Sequence, residues 1–365
     1  MKILLVITGL GMGGAEKVVT TLSDKLVEQG HEVCLAYLSG DAIVLPSNNS
    51  VNVVNVGLNS GLDVFHAMFK LRALIRKFKP DVVHSHMFHS NIICRMLRVF
   101  TSIPTLISTM HNISEGGEIR MLLYRLTDKL TDFSTNVSHE AVNNFILKRA
   151  VPIDKIKCIY NGIDTDKFRP KTVNRFKYMN ALSIPKKSQV LISIGSLTPQ
   201  KDYFNLLQAF YNLPDKTLTL LIVGDGPLRN AILEEIKNLG LCERVRMLGI
   251  RHDVDELLCF ADLFVLSSAW EGFGLVVAEA MSSQTIVIGT DCGGVNEVIG
   301  GAGYVVPPKN SVELSNKIYH ALNLSDKEVS EITTKSRERI IDNFSINRSI
   351  NDYLELYNMK SKRRI

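Results

Sequence analysis

The chain has 365 residues, of which 45% are hydrophobic and 22% charged, and it carries a net charge of +5. That length exceeds what one core usually serves, so two domains are expected, and the composition excludes disordered, fibrous and membrane-embedded classes. The charge is too small to argue for nucleic acid. The six cysteines (Cys34, Cys94, Cys158, Cys242, Cys259, Cys292) lack metal-like spacing, which fits a reducing compartment without structural disulfides.

Neither the apolar start, Ile3-Leu-Leu-Val-Ile7, nor any later apolar run is long enough for a signal-peptide core or a membrane span. Strand-like runs occur at 2–8, 32–38, 51–56, 81–85, 104–108 and 155–159, with helical patterns between most of them. After about residue 170 the alternation restarts, with runs at 189–194, 218–223, 245–248, 263–267, 285–288 and 303–306. Strands alternating with helices predict parallel sheets covered on both faces, and two such series predict two Rossmann-like halves. The polar, proline-bounded stretch from Phe168-Arg-Pro170 to Lys186-Lys187 reads as the linker, and Phe344 to Tyr357 as a helix.

The first loop, Gly9-Leu-Gly-Met-Gly-Gly-Ala-Glu16, follows a strand and opens a helix. Its glycines allow a tight turn and close approach to a ligand. The string satisfies GxGxxG, but a dinucleotide enzyme would want an acid at the end of the second strand, where Asp41 is only a loose candidate. Residues 64–79 read as a basic amphipathic helix: Val64, Met68, Leu71, Leu74, Ile75 and Phe78 are apolar, while Lys70, Arg72, Arg76, Lys77 and Lys79 are charged. Arg95 and Arg98 follow, and Asp81 is the sole acid between residues 64 and 114. Such a helix is either core-packed with a solvated face or a rest for an anionic membrane. His84 and His86 end the fourth strand, and His111 follows the fifth. The carboxyl ends of strands are where open α/β sheets bind ligands.

In the second half, Gly195-Ser-Leu-Thr-Pro-Gln-Lys201 lies at another carboxyl end. Later comes Glu271-Gly-Phe-Gly-Leu-Val-Val-Ala-Glu279, with two carboxylates eight positions apart. This reads as strand, glycine turn, helix, which aims free N–H groups and a helix dipole at whatever sits in front. Phosphate is the natural guest. Carboxylates beside an anion site are most simply used to accept hydrogen bonds from sugar hydroxyls.

This string resembles the E-x7-E signature of retaining glycosyltransferase family 4. Further resemblances lie in the Gly13-Gly14-Ala-Glu16 loop, His111, Ser138, Asn161-Gly-Ile-Asp164 and Lys201. The resemblance implies an α/β chain of the GT-B class, two Rossmann-like parallel-sheet domains facing across a cleft. Residues 1–168 would bind the acceptor and 169–344 the nucleotide-sugar, with a last helix (~345–365) returning to the first domain. It also implies roles. Glu271, His111 and Lys201 would be catalytic. The donor would be held by Gly13, Gly14, Gly195, Ser196, Lys201, Ile250, Phe273, Gly274, Leu275 and Glu279. Glu16, His86, Ser138 and Asn161 would line the acceptor side, and Gly162 would permit a positive φ at the interdomain crossing.

One departure stands out. Ser196 occupies the place where the family usually has an arginine on the donor diphosphate; Arg229 and Arg251 are conceivable substitutes. Asp164-Thr-Asp166 and Asp253-Val-Asp255 look like the metal-binding DxD of the other large glycosyltransferase fold, but read as loop and N-cap aspartates, so no metal is expected. The expected activity is retaining transfer of a hexose or N-acetylhexosamine, UDP-linked in this reading, to an undecaprenyl-diphosphate-linked saccharide of a surface polysaccharide. The enzyme would work in the cytoplasm on the inner face of the membrane, with the Lys70–Lys79 helix on anionic lipid and no nucleic-acid partner. A UDP-sugar 2-epimerase and a catalytically weak partner subunit are the alternatives.

Overall fold

The computed structural model describes residues 1–58, 63–113 and 115–359. The chain divides into two compact units, Met1–Gly162 with Ile346–Ile365, and Ile163–Ser345.

In the first unit, β1 (Lys2–Ile7), α1 (Gly14–Glu28), β2 (Glu32–Tyr37), β3 (Asn52–Asn55), α2 (Val64–Phe78), β4 (Val82–His86), α3 (Phe88–Leu97), β5 (Thr105–Met110), α4 (Glu118–Thr127), β6 (Phe133–Asn136), α5 (His139–Leu147) and β7 (Ile156–Cys158) follow in order. The seven strands form one sheet, ordered β3-β2-β1-β4-β5-β6-β7, and every pairing is parallel. Side-chain alternation splits each strand between two cores. Ile3, Leu5 and Ile7 face α1 and the C-terminal helix, whereas Leu4 and Val6 face α2 and α3. Helices α4 and α5 continue that second layer over Met110 and Ile156.

Two expectations need correction here. Strand β6 was not anticipated, because Phe133-Ser-Thr-Asn136 has no apolar run. Arg95, expected on the basic surface, is fully buried. One fact explains the other: Arg95 donates to Ser108 Oγ at 3.1 Å, Ser134 Oγ at 3.0 Å and Thr127 Oγ1 at 3.2 Å, so the polar strand is the counterpart of an internal guanidinium. Buried charges need such partners. Arg98 is likewise committed, to Asp132 at 2.7 Å. On α2, Ala67, Leu71 and Ile75 are buried.

The second unit runs α6 (Arg175–Ala181), β8 (Val190–Ile194), α7 (Tyr203–Tyr211), β9 (Thr219–Val223), α8 (Arg229–Asn238), β10 (Val245–Gly249), α9 (Val254–Phe260), β11 (Leu263–Leu266), α10 (Leu275–Ser282), β12 (Ile286–Thr290), α11 (Val295–Ile299), β13 (Tyr304–Val306), α12 (Ser311–Leu322) and α13 (Asp326–Phe344). Its six strands are again all parallel, ordered β10-β9-β8-β11-β12-β13. The expected linker contains α6, which is packed: Met179 is buried, and Arg175 donates to Phe260 O at 2.9 Å and pairs with Asp262 at 2.7 Å.

After Ser345 the chain re-enters the first unit as α14 (Ile346–Asn358), burying Ile346, Ile350, Tyr353, Leu356 and Tyr357 against the sheet. Residues 360–365 of the expected last helix lie outside the described residues. Gly162 does not take the positive φ expected of it. What it supplies is space, since a Cβ there would stand 2.6 Å from Ile346 Cα and 2.9 Å from Ser349 Cβ. Gly162→Ala is therefore expected to cost about 1–3 kcal/mol through forced displacement of α14, read as a drop of several degrees in a thermal melt. An unchanged melt would remove this packing role.

Candidate functional site

Each sheet reverses its strand order once, between β1 and β4 in the first unit and between β8 and β11 in the second. Ligands of open α/β sheets sit outside the carboxyl ends of the strands at that reversal. The glycine loops read from the sequence fall there in both units.

In the second unit, β8 ends at Ile194 and Gly195 follows; a Cβ on Gly195 would lie 3.0 Å from Lys201 Cε, so glycine lets the lysine cross over it. Lys201 closes a short 3-10 turn, Pro199–Lys201. Its Nζ pairs with Glu271 Oε1, and their side chains are 14% and 8% exposed, so the pair is nearly withdrawn from water. The same carboxylate accepts Ser268 Oγ at 2.8 Å and Gln200 Nε2 at 3.3 Å. The Ser267 hydroxyl donates to Lys201 O at 2.8 Å and the Ala269 N–H to Gln200 O at 2.8 Å, tying the β8 and β11 loops together. Glu271 is thus held from three directions.

Gly274, at φ 86° and ψ 50°, is the N-cap of α10, and a Cβ would add a 3.1 Å contact with Val295 Cγ2; no other residue suits this left-handed corner so well. The N–H groups of Leu275 and Val276 open the helix and have no acceptor within it. Phe273 is buried with its ring against Phe344, and Glu279 is buried on α10. Ile250 is exposed just beyond β10. Ser196 is exposed, its hydroxyl 3.4 Å from Thr198 Oγ1. Of the two arginines considered as substitutes for the missing cation, Arg251 is forked onto Asp253 at 2.8 and 2.6 Å. Asp253 occupies the N-cap position of α9 but makes no capping bond; its carboxylate serves Arg251 instead. Asp164 does form the expected loop structure, accepting the N–H groups of Asp166 and Lys167 at 3.1 and 2.9 Å.

In the first unit, Gly13 is the N-cap of α1 and Gly14 its first residue. The Glu16 side chain curls back over the loop, where a Cβ on Gly13 would meet its Oε2 at 2.1 Å, and burial raises its carboxyl pKa. Beyond β4 and β5 lies a histidine cluster. His86 Nδ1 and His111 Nε2 are 3.1 Å apart, and His84 bonds Tyr357 OH at 2.7 Å and Thr109 Oγ1 at 2.6 Å. Burial, reinforced by neighbouring histidines, holds His84 down to about 3 and His86 well below the usual range; burial alone takes His111 to about 4. All three rings are neutral at pH 7.

Three of the residues expected on the acceptor side have these surroundings. His86 is fully buried, because alternation along β4 puts it on the same side as His84, and it meets His111 rather than solvent. Ser138 caps α5, accepting the Ala141 N–H at 3.2 Å. Asn161 is buried, and among the described residues its Oδ1 has no hydrogen-bond partner. The Nδ1 of His111 is likewise unpartnered among them.

Glu115 was not singled out from the sequence. It accepts the His111 backbone N–H at 3.1 Å and the Tyr124 hydroxyl, and burial pushes its carboxyl up to about 7. No local motif marks it; only the fold brings it under His111. Its folded pKa lies above the ordinary 4.5, so the native state keeps a proton that the unfolded chain has lost between 4.5 and about 7. The contribution of Glu115 to stability therefore falls as pH rises through that window, by up to ~3 kcal/mol. The three buried histidines act in the opposite sense over the same range, so Glu115 is read as a difference: between pH ~5 and ~8 the urea midpoint should rise more, or fall less, in Glu115→Gln than in the wild type. Equal pH dependence in both would exclude Glu115 as the source.

Two parallel α/β units in these strand orders, each with a glycine loop at its reversal, are the GT-B architecture. The model for glycosyltransferase family 4 matches residues 12–167, and that for glycosyl transferases group 1 matches residues 174–343. The chain belongs to this family. It is 29% identical over 368 residues to N-acetyl-alpha-D-glucosaminyl L-malate synthase of Bacillus anthracis, covering 95% of this chain and 94% of that one. It is 26% identical to UDP-Gal:alpha-D-GlcNAc-diphosphoundecaprenol alpha-1,3-galactosyltransferase of Escherichia coli, covering 80% and 78%. The fold matches Anabaena Alr3699/HepE, solved with UDP and glucose, at a TM-score of 0.87 over 98% of this chain and 99% of that one, with 21% identity.

Proposed function

We propose that this glycosyltransferase moves a hexose or N-acetylhexosamine from a UDP-sugar to a hydroxyl of an undecaprenyl-diphosphate-linked saccharide, with retention at the anomeric carbon and without a metal. The observation that carries the reading is the Lys201–Glu271 pair, fixed beside the start of α10. In this reading Lys201 and the helix N-terminus take the diphosphate. Glu271 and the backbone at Phe273, Gly274 and Leu275 take the sugar, and Glu279 takes the ribose. Ile250 lies by the base, and His111 near the anomeric centre. The acceptor hydroxyl attacks the face from which UDP leaves. The C1–phosphate bond breaks as the C1–acceptor bond forms, and the leaving phosphate oxygen takes the hydroxyl proton. The lipid-linked acceptor is supported by the galactosyltransferase relative, and in this reading the enzyme works peripherally on the inner face of the cytoplasmic membrane.

The malate synthase relative favours a second reading, transfer to a small hydroxy acid. One experiment separates the two: nucleotide release from UDP-, GDP-, ADP- and TDP-sugars in EDTA, with undecaprenyl-diphosphate-linked saccharides or with L-malate. UDP release that requires the lipid acceptor is the expected result. Release with malate alone supports the second reading. Release with no acceptor indicates hydrolysis or epimerisation, and recovery only with manganese would overturn the metal-free mechanism.

A further inference from the structure

We propose that the end of β12 and the loop after it form the mould that positions Glu271, with Thr290 as a positioning residue acting through Ser268; this rests on the reading in which Glu271 takes the donor sugar. Glu271 lies outside any helix or strand, in the turn between β11 and α10. A carboxylate on a turn is only as well placed as the backbone beneath it. The bonds from Lys201, Ser268 and Gln200 fix the head of its side chain. The backbone on either side of it is fixed by a second set of bonds, which come from one neighbouring segment.

The ladder between β11 and β12 ends where Leu266 lies beside Gly289. Just past that point the Thr290 hydroxyl donates to Ser268 O at 2.6 Å, and both residues are fully buried. The Cys292 thiol reaches the same carbonyl at 3.4 Å, but a thiol is a weak donor, so the hydroxyl is the principal bond. On the far side of Glu271, the Gly294 N–H donates to Gly272 O at 3.3 Å. The segment from Thr290 to Gly294 therefore holds two carbonyls that bracket Glu271. Val295 follows and fills the corner at Gly274, its Cγ2 3.1 Å from where a Cβ would stand.

The distribution of bonds on the carboxylate shows what this mould controls. Lys201 Nζ and Ser268 Oγ both go to Oε1, whereas among the described residues Oε2 takes only Gln200 Nε2, at 3.3 Å. Oε2 thus keeps the capacity to accept a sugar hydroxyl. The Ser268 hydroxyl sets how the carboxylate is turned, and the Ser268 carbonyl is where Thr290 grips the same residue. Deleting the Thr290 hydroxyl leaves a buried carbonyl short of its main donor, and the backbone moves to find another. Oε2 moves with it, and a displacement near 1 Å at a reacting centre can cost about a hundredfold in rate. A hydroxyl that served stability alone would lower the melt and leave kcat of the folded enzyme unchanged.

The test compares Thr290→Val, Thr290→Ser and Ser268→Ala with the wild type and with Glu271→Ala. The donors are UDP-glucose, UDP-galactose and their N-acetyl forms, with undecaprenyl-diphosphate-linked saccharides as acceptors. Thr290→Val is expected to lower kcat roughly tenfold to a hundredfold, with UDP affinity kept within about threefold, and Thr290→Ser to restore it. Added to Ser268→Ala, Thr290→Val should cost little more, because it acts through that residue. Where Glu271→Ala is inactive, a Thr290→Val kcat equal to the wild type, or a loss that simply adds to that of Ser268→Ala, overturns the proposal. Should the valine variant not melt cooperatively, Thr290→Ala deletes the same hydroxyl with a smaller side chain. Trp270, the sole tryptophan and the chain neighbour of Glu271, gives a readout that needs no turnover. Its fluorescence anisotropy is expected to fall in Thr290→Val as the turn loosens, and an unchanged anisotropy overturns the proposal whatever the reaction. If Glu271→Ala transfers like the wild type while the anisotropy falls, the sugar assignment of Glu271 is what fails, and the mould stands.

Discussion

Glu271→Ala is expected to lower transfer by at least ~10³-fold, a loss of about 4 kcal/mol of transition-state stabilisation, while UDP affinity stays within about threefold. The reasoning starts from restraint. A glutamate merely placed near a helix start would be free to sample rotamers, and its loss would cost a few tenths of a kcal/mol. Glu271 instead accepts from Lys201, Ser268 and Gln200 and is nearly buried. Its position is set before any ligand arrives, and preorganised groups are where catalytic free energy is concentrated. Since the carboxylate is assigned to the sugar and not to the nucleotide, binding of UDP alone should barely respond. Titration calorimetry with UDP, beside steady-state transfer rates, reads the two effects separately. Unchanged transfer would remove Glu271 from the mechanism, and a parallel collapse of UDP binding would reassign it to the nucleotide.

The parts of the architecture that could be read from the sequence are those where one residue type has one physical use. Parallel strands in the middle of a sheet are buried on both faces and read as short apolar runs, and twelve of the strands, edge strands included, were visible as such runs. Glycine at 195 or 274 announces a corner or a close approach, and both were placed correctly at carboxyl ends of strands. What escaped was polar and internal. Strand β6 is written in serine and threonine because it lies across from Arg95, and Arg95 looked like a surface cation because nothing local distinguishes a buried guanidinium from a solvated one. Helix α6 was hidden for a similar reason: a polar, proline-bounded segment looks like a linker until Arg175 finds Asp262, 87 positions away.

The site shows the same division. Lys201, Glu271 and Gly274 could be picked out because a string of contiguous residues carries them. Glu115 and the His86–His111 contact are products of register between β4 and β5, where His86 pairs with Thr109. On α4 the apolar residues do not say which side is covered until Met121 and Tyr124 are seen to be buried.

Lys201→Ala should be more damaging here than the loss of one cation usually is, about 10³- to 10⁴-fold in kcat/KM, or roughly 4–5 kcal/mol. The leaving diphosphate needs positive charge, and the loop after β8 offers a serine at 196 in place of a second cation. Arg251 is spent on Asp253, which leaves its guanidinium largely neutralised by a neighbour. The start of α10 supplies only partial charge, worth about half an elementary unit. Lys201 is also the cation that Glu271 faces, so deleting it strands a buried carboxylate held by Ser268 and Gln200 alone. That coupling gives the decisive measurement. In a double-mutant cycle, Lys201→Ala and Glu271→Ala are expected to be strongly non-additive in transfer rate, the double variant losing little more than the worse single one, because each group depends on the other for its position in the transition state. Simple additivity would mean that the two groups act on the donor independently and that their ion pair is only a contact of the unliganded site.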